Sequence, residues 1–440
     1  MEKSEIIESL LAWNFWQKGL DTGISRGPYL EQIRRYLKTD EVVALSGIRR
    51  CGKSTILLQV LSELINNGLP KQNTLYINFE DPKFFNFLGL DLLDKIWRAY
   101  QEYLKPRGKV YLVLDEVQKV KGWEHWVRAK YDQKESVKIF VTGSNAELLS
   151  AEFSSVLTGR HLELAVAPLN FREYLGFRGV KIENNKLWMV ESRDLLYGHA
   201  LEYLRIGGFP KIVLTGDELL RKELLEQYFN DILTKDIRDR YKLKEAGKLK
   251  NLALFFAANF TRPYTFRKVK SLSEIPLSLD TVHRFSHYLE NSFIVDFLSR
   301  FSYSLKNRMQ TARKVYFVDN GLRNAVAFKF SSDTGKLLEN AVFHHLKQQK
   351  KEIYYYQEKQ EVDFVIKEGL KITGLINVSN NIEDKETYLR ETASLKEGMR
   401  YFKRKDATLI TLEGKAKTIS DEGFTILTVP FYQWAIADLP

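Results

Sequence analysis

The eight residues Gly47-Ile48-Arg49-Arg50-Cys51-Gly52-Lys53-Ser54 complete the pattern G-x-x-x-x-G-K-[ST]. An apolar run, Val42 to Leu45, precedes them, and a segment with helical spacing, Thr55 to Leu61, follows. That strand–loop–helix setting is what a phosphate cradle needs. The glycines let the backbone curl so that its N–H groups point at an anion, and the start of a helix adds its positive dipole end. Lys53 is then placed for the β- and γ-phosphates, and the Ser54 hydroxyl for Mg²⁺. The expected ligand is a nucleoside triphosphate held by Gly47 through Thr55.

A second constellation lies downstream. The strand-like run Val110 to Leu114 ends in Asp115 and Glu116. A strand buried on both faces is apolar throughout, so two acids at its end need a reason. In phosphate-loop chemistry the first acid holds Mg²⁺, through water or beside Ser54, and the second polarises the attacking water. Another apolar run, Ile139 to Thr142, leads into Gly143-Ser144-Asn145. Ser144 or Asn145 is the candidate to hold that water, although both types are common in ordinary turns.

Together with Leu157-Thr158-Gly159-Arg160 and Pro168-Leu169-Asn170-Phe171-Arg172-Glu173-Tyr174, these stretches resemble the archaeal and bacterial AAA+ ATPases that carry a C-terminal domain of unknown function. Gly207 to Pro210, Asp231 to Asp236 and Phe317 to Arg323 are similar to the later landmarks of that group. The resemblance implies hydrolysis of ATP to ADP and phosphate with Mg²⁺. It implies an α/β phosphate-loop core, a helical lid, a winged-helix-like module and a terminal mixed α/β domain of restriction-endonuclease type. It also suggests Arg160 as a residue near the γ-phosphate, in the same chain or from a neighbour in a homo-oligomer. The alternative is a structural arginine paired with an acid such as Glu163. Arg49 and Arg50 could meet phosphate or a partner, with at least one of them turned outward.

The elements that must position these groups follow from periodicity. Runs at Val42–Leu45, Thr74–Asn78, Val110–Leu114 and Ile139–Thr142 alternate with helical segments, which indicates a parallel sheet with crossover helices. Phosphate sites in such sheets lie at the carboxyl ends of the strands, where Gly47 falls. The expected division is 1–165 for N-terminal helices and core, 166–245 for the lid, 246–318 for the winged-helix-like module and 319–440 for the terminal domain.

In the third of these, helices are expected at Leu252–Asn259, Thr265–Ser271 and Leu279–Asn291, the last capped by Asp280 or Thr281. Paired strands at Phe293–Phe301 and Lys314–Val318 complete it. Val282, Phe285, Tyr288 and Leu289 share the core face of the third helix. His283, Arg284, Ser286 and His287 lie on its other sides, where they could meet a DNA groove. Lys268, Lys270, Lys306 and Arg308 could hold phosphates; a solvated face or a protein partner is the alternative. The charge favours a polyanion: the chain carries a net +11, and Arg221 to Lys314 holds 19 basic against 10 acidic residues.

The terminal domain has Glu339 in a helix and Asp363 within Glu361 to Val365, similar to the opening of the nuclease pattern. Such sites require an acid-x-lysine on the next strand, where this sequence has Asn377 and Ser379. A neutral amide and a hydroxyl do not replace a carboxylate and an ammonium, so DNA cleavage is not expected. Cys51 is the single cysteine, which excludes an intramolecular disulfide. The N-terminal residues lack a signal-peptide layout, and no apolar run approaches the roughly 18 residues of a membrane span. The expectation is a soluble cytoplasmic protein.

Overall fold

Every residue of strand β1 (Val42–Ser46) is buried, as a strand covered on both faces requires. It lies between β4 (Val137–Gly143) and β5 (His161–Ala165) in a sheet of order β2-β3-β4-β1-β5, with β2 at Thr74–Asn78 and β3 at Val110–Asp115. All four pairings are parallel. The register sets Ser46 beside Gly143 and Asn78 beside Asp115, so the carboxyl ends of four strands share one edge. The fifth strand, β5, was not legible as a run, because it alternates exposed and buried positions at the sheet margin.

The computed structural model describes residues 1–133, 135–146, 156–183, 186–272, 277–304, 311–327, 333–382 and 384–437. They fall into two compact units, Met1–Val166 and Ala167–Pro440. In the first, helices α1 (Lys3–Leu11), α2 (Gly27–Tyr36), α3 (Lys53–Asn66), α4 (Leu90–Leu104) and α5 (Trp123–Asp132) join the strands. Ile6 and Leu10 of α1 enter one core with Ile96, Trp97 and Tyr100 of α4 and Leu112 of β3. The exception within β4 is Lys138, which is fully buried. Its ammonium donates to the carbonyls of Tyr36, Thr39 and Glu41, each at 2.7 Å, and so closes the turn after α2.

The second unit opens with helices α6 (Phe171–Phe177), α7 (Lys186–Glu191), α8 (Arg193–Ile206), α9 (Pro210–Leu214) and α10 (Glu218–Asp231), the last running into a π-helical stretch, Ile232–Arg238. Helix α11 (Ala246–Ala258), the two-residue strand β6 (Pro263–Tyr264), α12 (Phe266–Leu272) and α13 (Leu279–Asn291) follow, then β7 (Val295–Ser299) and β8 (Arg313–Phe317). These strands form a small antiparallel sheet of order β6-β8-β7. Helix α13 has the expected bounds but a different cap: Ser278 accepts from the Thr281 N–H, displacing Asp280 and Thr281 from that role. Ser286 is buried, not outward.

Helices α14 (Asn320–Val326) and α15 (Thr334–Gln348) lead to a six-stranded mixed sheet, order β13-β14-β12-β11-β10-β9. Its strands are β9 (Glu352–Gln357), β10 (Glu361–Glu368), β11 (Lys371–Ser379), β12 (Asp406–Thr411), β13 (Lys417–Asp421) and β14 (Phe424–Pro430). The long helix α16 (Lys385–Phe402) and the final helix α17 (Phe431–Ala437) complete the unit. Two sequence landmarks interlock here. Asp319 accepts from the Gly208 N–H at 2.6 Å, and a Cβ on Gly207 would lie 2.2 Å from the same carboxylate. Only glycine fits. Among the described residues, no helix is long and apolar enough to cross a membrane.

Candidate active site

The phosphate loop leaves β1 at the carboxyl edge of the parallel sheet and enters α3 at Lys53. Three of its residues have left-handed backbone: Gly47 (φ 150°), Arg50 (φ 68°) and Gly52 (φ 105°). Gly47 is also pressed against the residue that follows β5, since a Cβ there would meet the Val166 carbonyl oxygen at 2.0 Å. Ile48 and Cys51 are buried, and burial raises the Cys51 thiol pKa. Arg26 donates to the Cys51 carbonyl at 2.8 Å and braces the loop from behind.

Lys53 is buried and donates to the carbonyls of Gly47 (3.0 Å) and Ile48 (3.3 Å), with Glu116 Oε1 3.8 Å away. The Ser54 hydroxyl donates to Asp115 Oδ2 at 2.8 Å. The same carboxylate accepts from Tyr76 Oη at 2.6 Å and from Thr142 Oγ1 at 2.5 Å. Two neighbouring strands and α3 therefore fix the one carboxylate of Asp115, and Tyr76 and Thr142 had given no signal in the sequence. Thr55 is exposed at the first turn of α3. Arg49 pairs with Glu80 at 2.8 Å, while Arg50 is the more outward of the two.

Glu116 is 7 % exposed and sits in the left-handed region at φ 54°, ψ 43°. A non-glycine residue held there marks strain of the kind that clusters at functional sites. Its N–H donates to Thr142 Oγ1 at 2.9 Å. Burial raises its carboxyl pKa and the Lys53 ammonium partly opposes that rise. Ser144 and Asn145 are buried just beyond β4, and Ser144 Oγ is 3.5 Å from the Gln118 amide that also bonds Glu116.

Arg160 is placed elsewhere. Its carbonyl accepts from Val42 N–H, at the amino end of β1, and β5 starts at the next residue. The loop is at the other end of β1, about 15 Å of strand away. Its guanidinium pairs with Asp132 at 3.3 Å over the Tyr131 ring; Glu163 instead approaches His161. Within one chain, Arg160 and the loop are not brought together, and the acid paired with Arg160 is Asp132.

In the second unit, His283, Arg284 and His287 are exposed on α13 and Lys268 and Lys270 on α12. His283 rests edge-on against Phe266. Lys306 and Arg308 lie outside the described residues. In the terminal domain, Glu339 and Asp363 do converge, but around a lysine. Lys314 of β8 is fully buried, with Nζ 2.8 Å from Glu339 and Glu361 and 3.0 Å from Asp363. Burial alone would lower its pKa; the acids more than offset this, and the net direction is upward. Burial raises Glu339 to about 7. Asn377 spends its amide on Glu391 at 2.8 Å. Among the described residues no group of three or more His, Cys, Asp or Glu is arranged to hold a metal ion.

A five-stranded parallel sheet with a glycine-rich loop and paired acids at its carboxyl edge defines a P-loop ATPase core of the AAA type. Residues 39–175 match the family model described as an AAA domain. Residues 198–333 and 334–432 match two domains of unknown function, DUF8612 and DUF4143. An uncharacterized protein of Haemophilus influenzae is 32% identical over 354 residues, covering 79% of this chain and 85% of that protein. An uncharacterized protein of Methanocaldococcus jannaschii is 29% identical over 419 residues, covering 90% and 88%. The chain belongs to one family with the Haemophilus influenzae protein, and its residues 39–175 are an AAA domain. Among solved structures it is similar to a Walker-type ATPase of Pyrococcus abyssi, with TM-score 0.44, 14% identity, and coverage of 69% and 96%.

Proposed function

We propose that this chain hydrolyses ATP at the carboxyl edge of its parallel sheet, with Glu116 as general base. The observation that carries this reading is the convergence of buried Lys53, Asp115 and Glu116 with half-buried Ser54, through the Ser54–Asp115 hydrogen bond and the Lys53–Glu116 ion pair. On binding a triphosphate, Lys53 exchanges the loop carbonyls for phosphate oxygens. Ser54 and Asp115 present two hard oxygen donors side by side, which fits Mg²⁺, an ion that takes its other ligands from phosphate and water. When bound, the ion neutralises charge on the phosphate oxygens. Glu116 takes a proton from water as the water oxygen bonds to the γ-phosphorus and the bond to ADP breaks. Ser144 and Asn145 orient that water. A part for Arg160 in this chemistry comes from a neighbouring copy.

The test is phosphate release and nucleotide binding measured side by side. Glu116→Gln is expected to bind ATP normally and to lose turnover by at least about a hundredfold. Unchanged turnover would assign the base elsewhere.

A second reading concerns the middle of the chain. The order helix, short strand, two helices, hairpin is that of a winged-helix-like module; α13 exposes His283, Arg284 and His287, and α12 exposes Lys268. We infer that this face engages DNA phosphates. Duplex binding that weakens steeply with salt, and weakens uniformly across sequences in Lys268→Ala, supports it; salt-independent binding removes it. The lysine-filled acidic cluster supports no nuclease reading.

A further inference from the structure

We propose that Gln118 is the positioning residue of the hydrolytic base, an inference that rests on the reading of Glu116 given above. Gln118 stands in the 3-10 turn Val117–Lys119 that leaves β3. Its Nε2 donates to Glu116 Oε2 at 2.5 Å and lies 3.5 Å from Ser144 Oγ. One amide nitrogen thus spans the base and a candidate water-holding side chain. The opposite amide orientation would set a carbonyl against a carboxylate, so the chemistry of the contact assigns the nitrogen to Glu116.

The other half of the same amide gives the independent observation. Gln118 Oε1 is buried and has no hydrogen-bond partner among the described residues. A buried unpaired acceptor is uncommon and needs a reason. A methionine would fill nearly the same volume without that penalty, so packing does not explain a glutamine. What the amide supplies and methionine cannot is the N–H donated to Glu116.

Glu116 has a geometric need for that bond. Its backbone is left-handed, and its other oxygen, Oε1, is 3.8 Å from the Lys53 ammonium. With Oε2 tied to Gln118, the carboxylate cannot rotate fully onto Lys53 when the loop is empty, and it keeps one oxygen turned to the phosphate loop. Gln118 exchanges no proton and forms no covalent bond; it acts through Glu116.

The experiment is a double-mutant cycle on the full chain with ATP and Mg²⁺, read by single-turnover phosphate release and by ATP affinity. Gln118→Met is expected to lower the hydrolysis rate about tenfold and to leave ATP affinity within about twofold. In a Glu116→Gln background the same substitution is expected to cost less than about twofold, because its route of action is gone. A merely structural role would lower both backgrounds equally, and that result would overturn the proposal. If Gln118→Met does not fold, Gln118→Asn carries the cycle, since it retains the amide but withdraws it by one methylene. Full turnover in Glu116→Gln alone would remove the base assignment and this inference together. Lost turnover there, with Gln118→Met at the wild-type rate, would remove only the role of Gln118.

Discussion

Lys314 holds its ammonium 2.8 Å from the carboxylate of Glu339, bonding the small three-stranded sheet to helix α15 from inside. Glu361 and Asp363 of β10 complete the shell around the same nitrogen. A lone lysine in a strand thereby occupies the centre of the acids that a nuclease would give to a metal.

Removing that fully buried lysine leaves three half-buried carboxylates crowded together without a cation, which costs far more than the pair contributes net. Lys314→Met is expected to destabilise the second unit by about 3–5 kcal/mol. Denaturant unfolding measures it, and a midpoint equal to that of the parent would show that the acids are hydrated in the folded state.

Asp319 predicts a pH dependence. Burial raises its pKa to about 6, against the ordinary 3.8, while the N–H groups of Gly208 and Leu322 restrain the rise. The folded state therefore binds this proton more tightly than the unfolded chain. Stability from this group is full below about pH 4, falls as pH rises to about 6 and is level above that, a loss of up to about 3 kcal/mol. Asp319→Asn should flatten the slope between pH 4 and 6 in thermal melts; an unchanged slope would assign it to other groups, Glu339 first.

The loop glycines give a steric prediction. Gly47→Ala drives a methyl onto the Val166 carbonyl, whereas Gly108→Ala meets nothing within 4 Å. Both positions have positive φ, which costs an alanine about 1–3 kcal/mol at either site. ATP affinity should fall at least tenfold, about 1.4 kcal/mol, only in Gly47→Ala. Equal effects in a fluorescent-nucleotide titration would mean that the contact with Val166 is unimportant to the loop.

Arg160 makes a prediction about assembly. Because it lies at the amino edge of its own sheet, paired with Asp132, it reaches a γ-phosphate only in another copy. Mixing Arg160→Ala with Glu116→Gln should then restore part of the turnover that each lacks. An oligomer confirmed by light scattering that shows no recovery on mixing would leave Arg160 a purely structural residue.

Much of the proposed ATP site is read from the residues themselves. Gly47 to Ser54 and Asp115-Glu116 are read from short stretches because local backbone chemistry and a strand end fix what each must do. Tyr76, Thr142 and Gln118 were not, since a tyrosine, a threonine and a glutamine in those runs look like ordinary strand and turn residues. Lys138 was equally silent: a lysine inside an apolar strand is explained only by three carbonyls from a turn about a hundred residues earlier in the chain. The cap of α13 was misplaced by two or three residues, the usual uncertainty where several polar residues precede a helix.

By itself, the sequence determined the alternation of strands and helices, the phosphate loop and the acids meant to work with it, because those depend on spacing along the chain. The tertiary structure alone decided which residues share a carboxylate. It set Arg160 at the far edge of the sheet and Lys314 among Glu339, Glu361 and Asp363. Buried charge must find partners wherever the fold brings them, and strand order, not sequence distance, decides which partners those are.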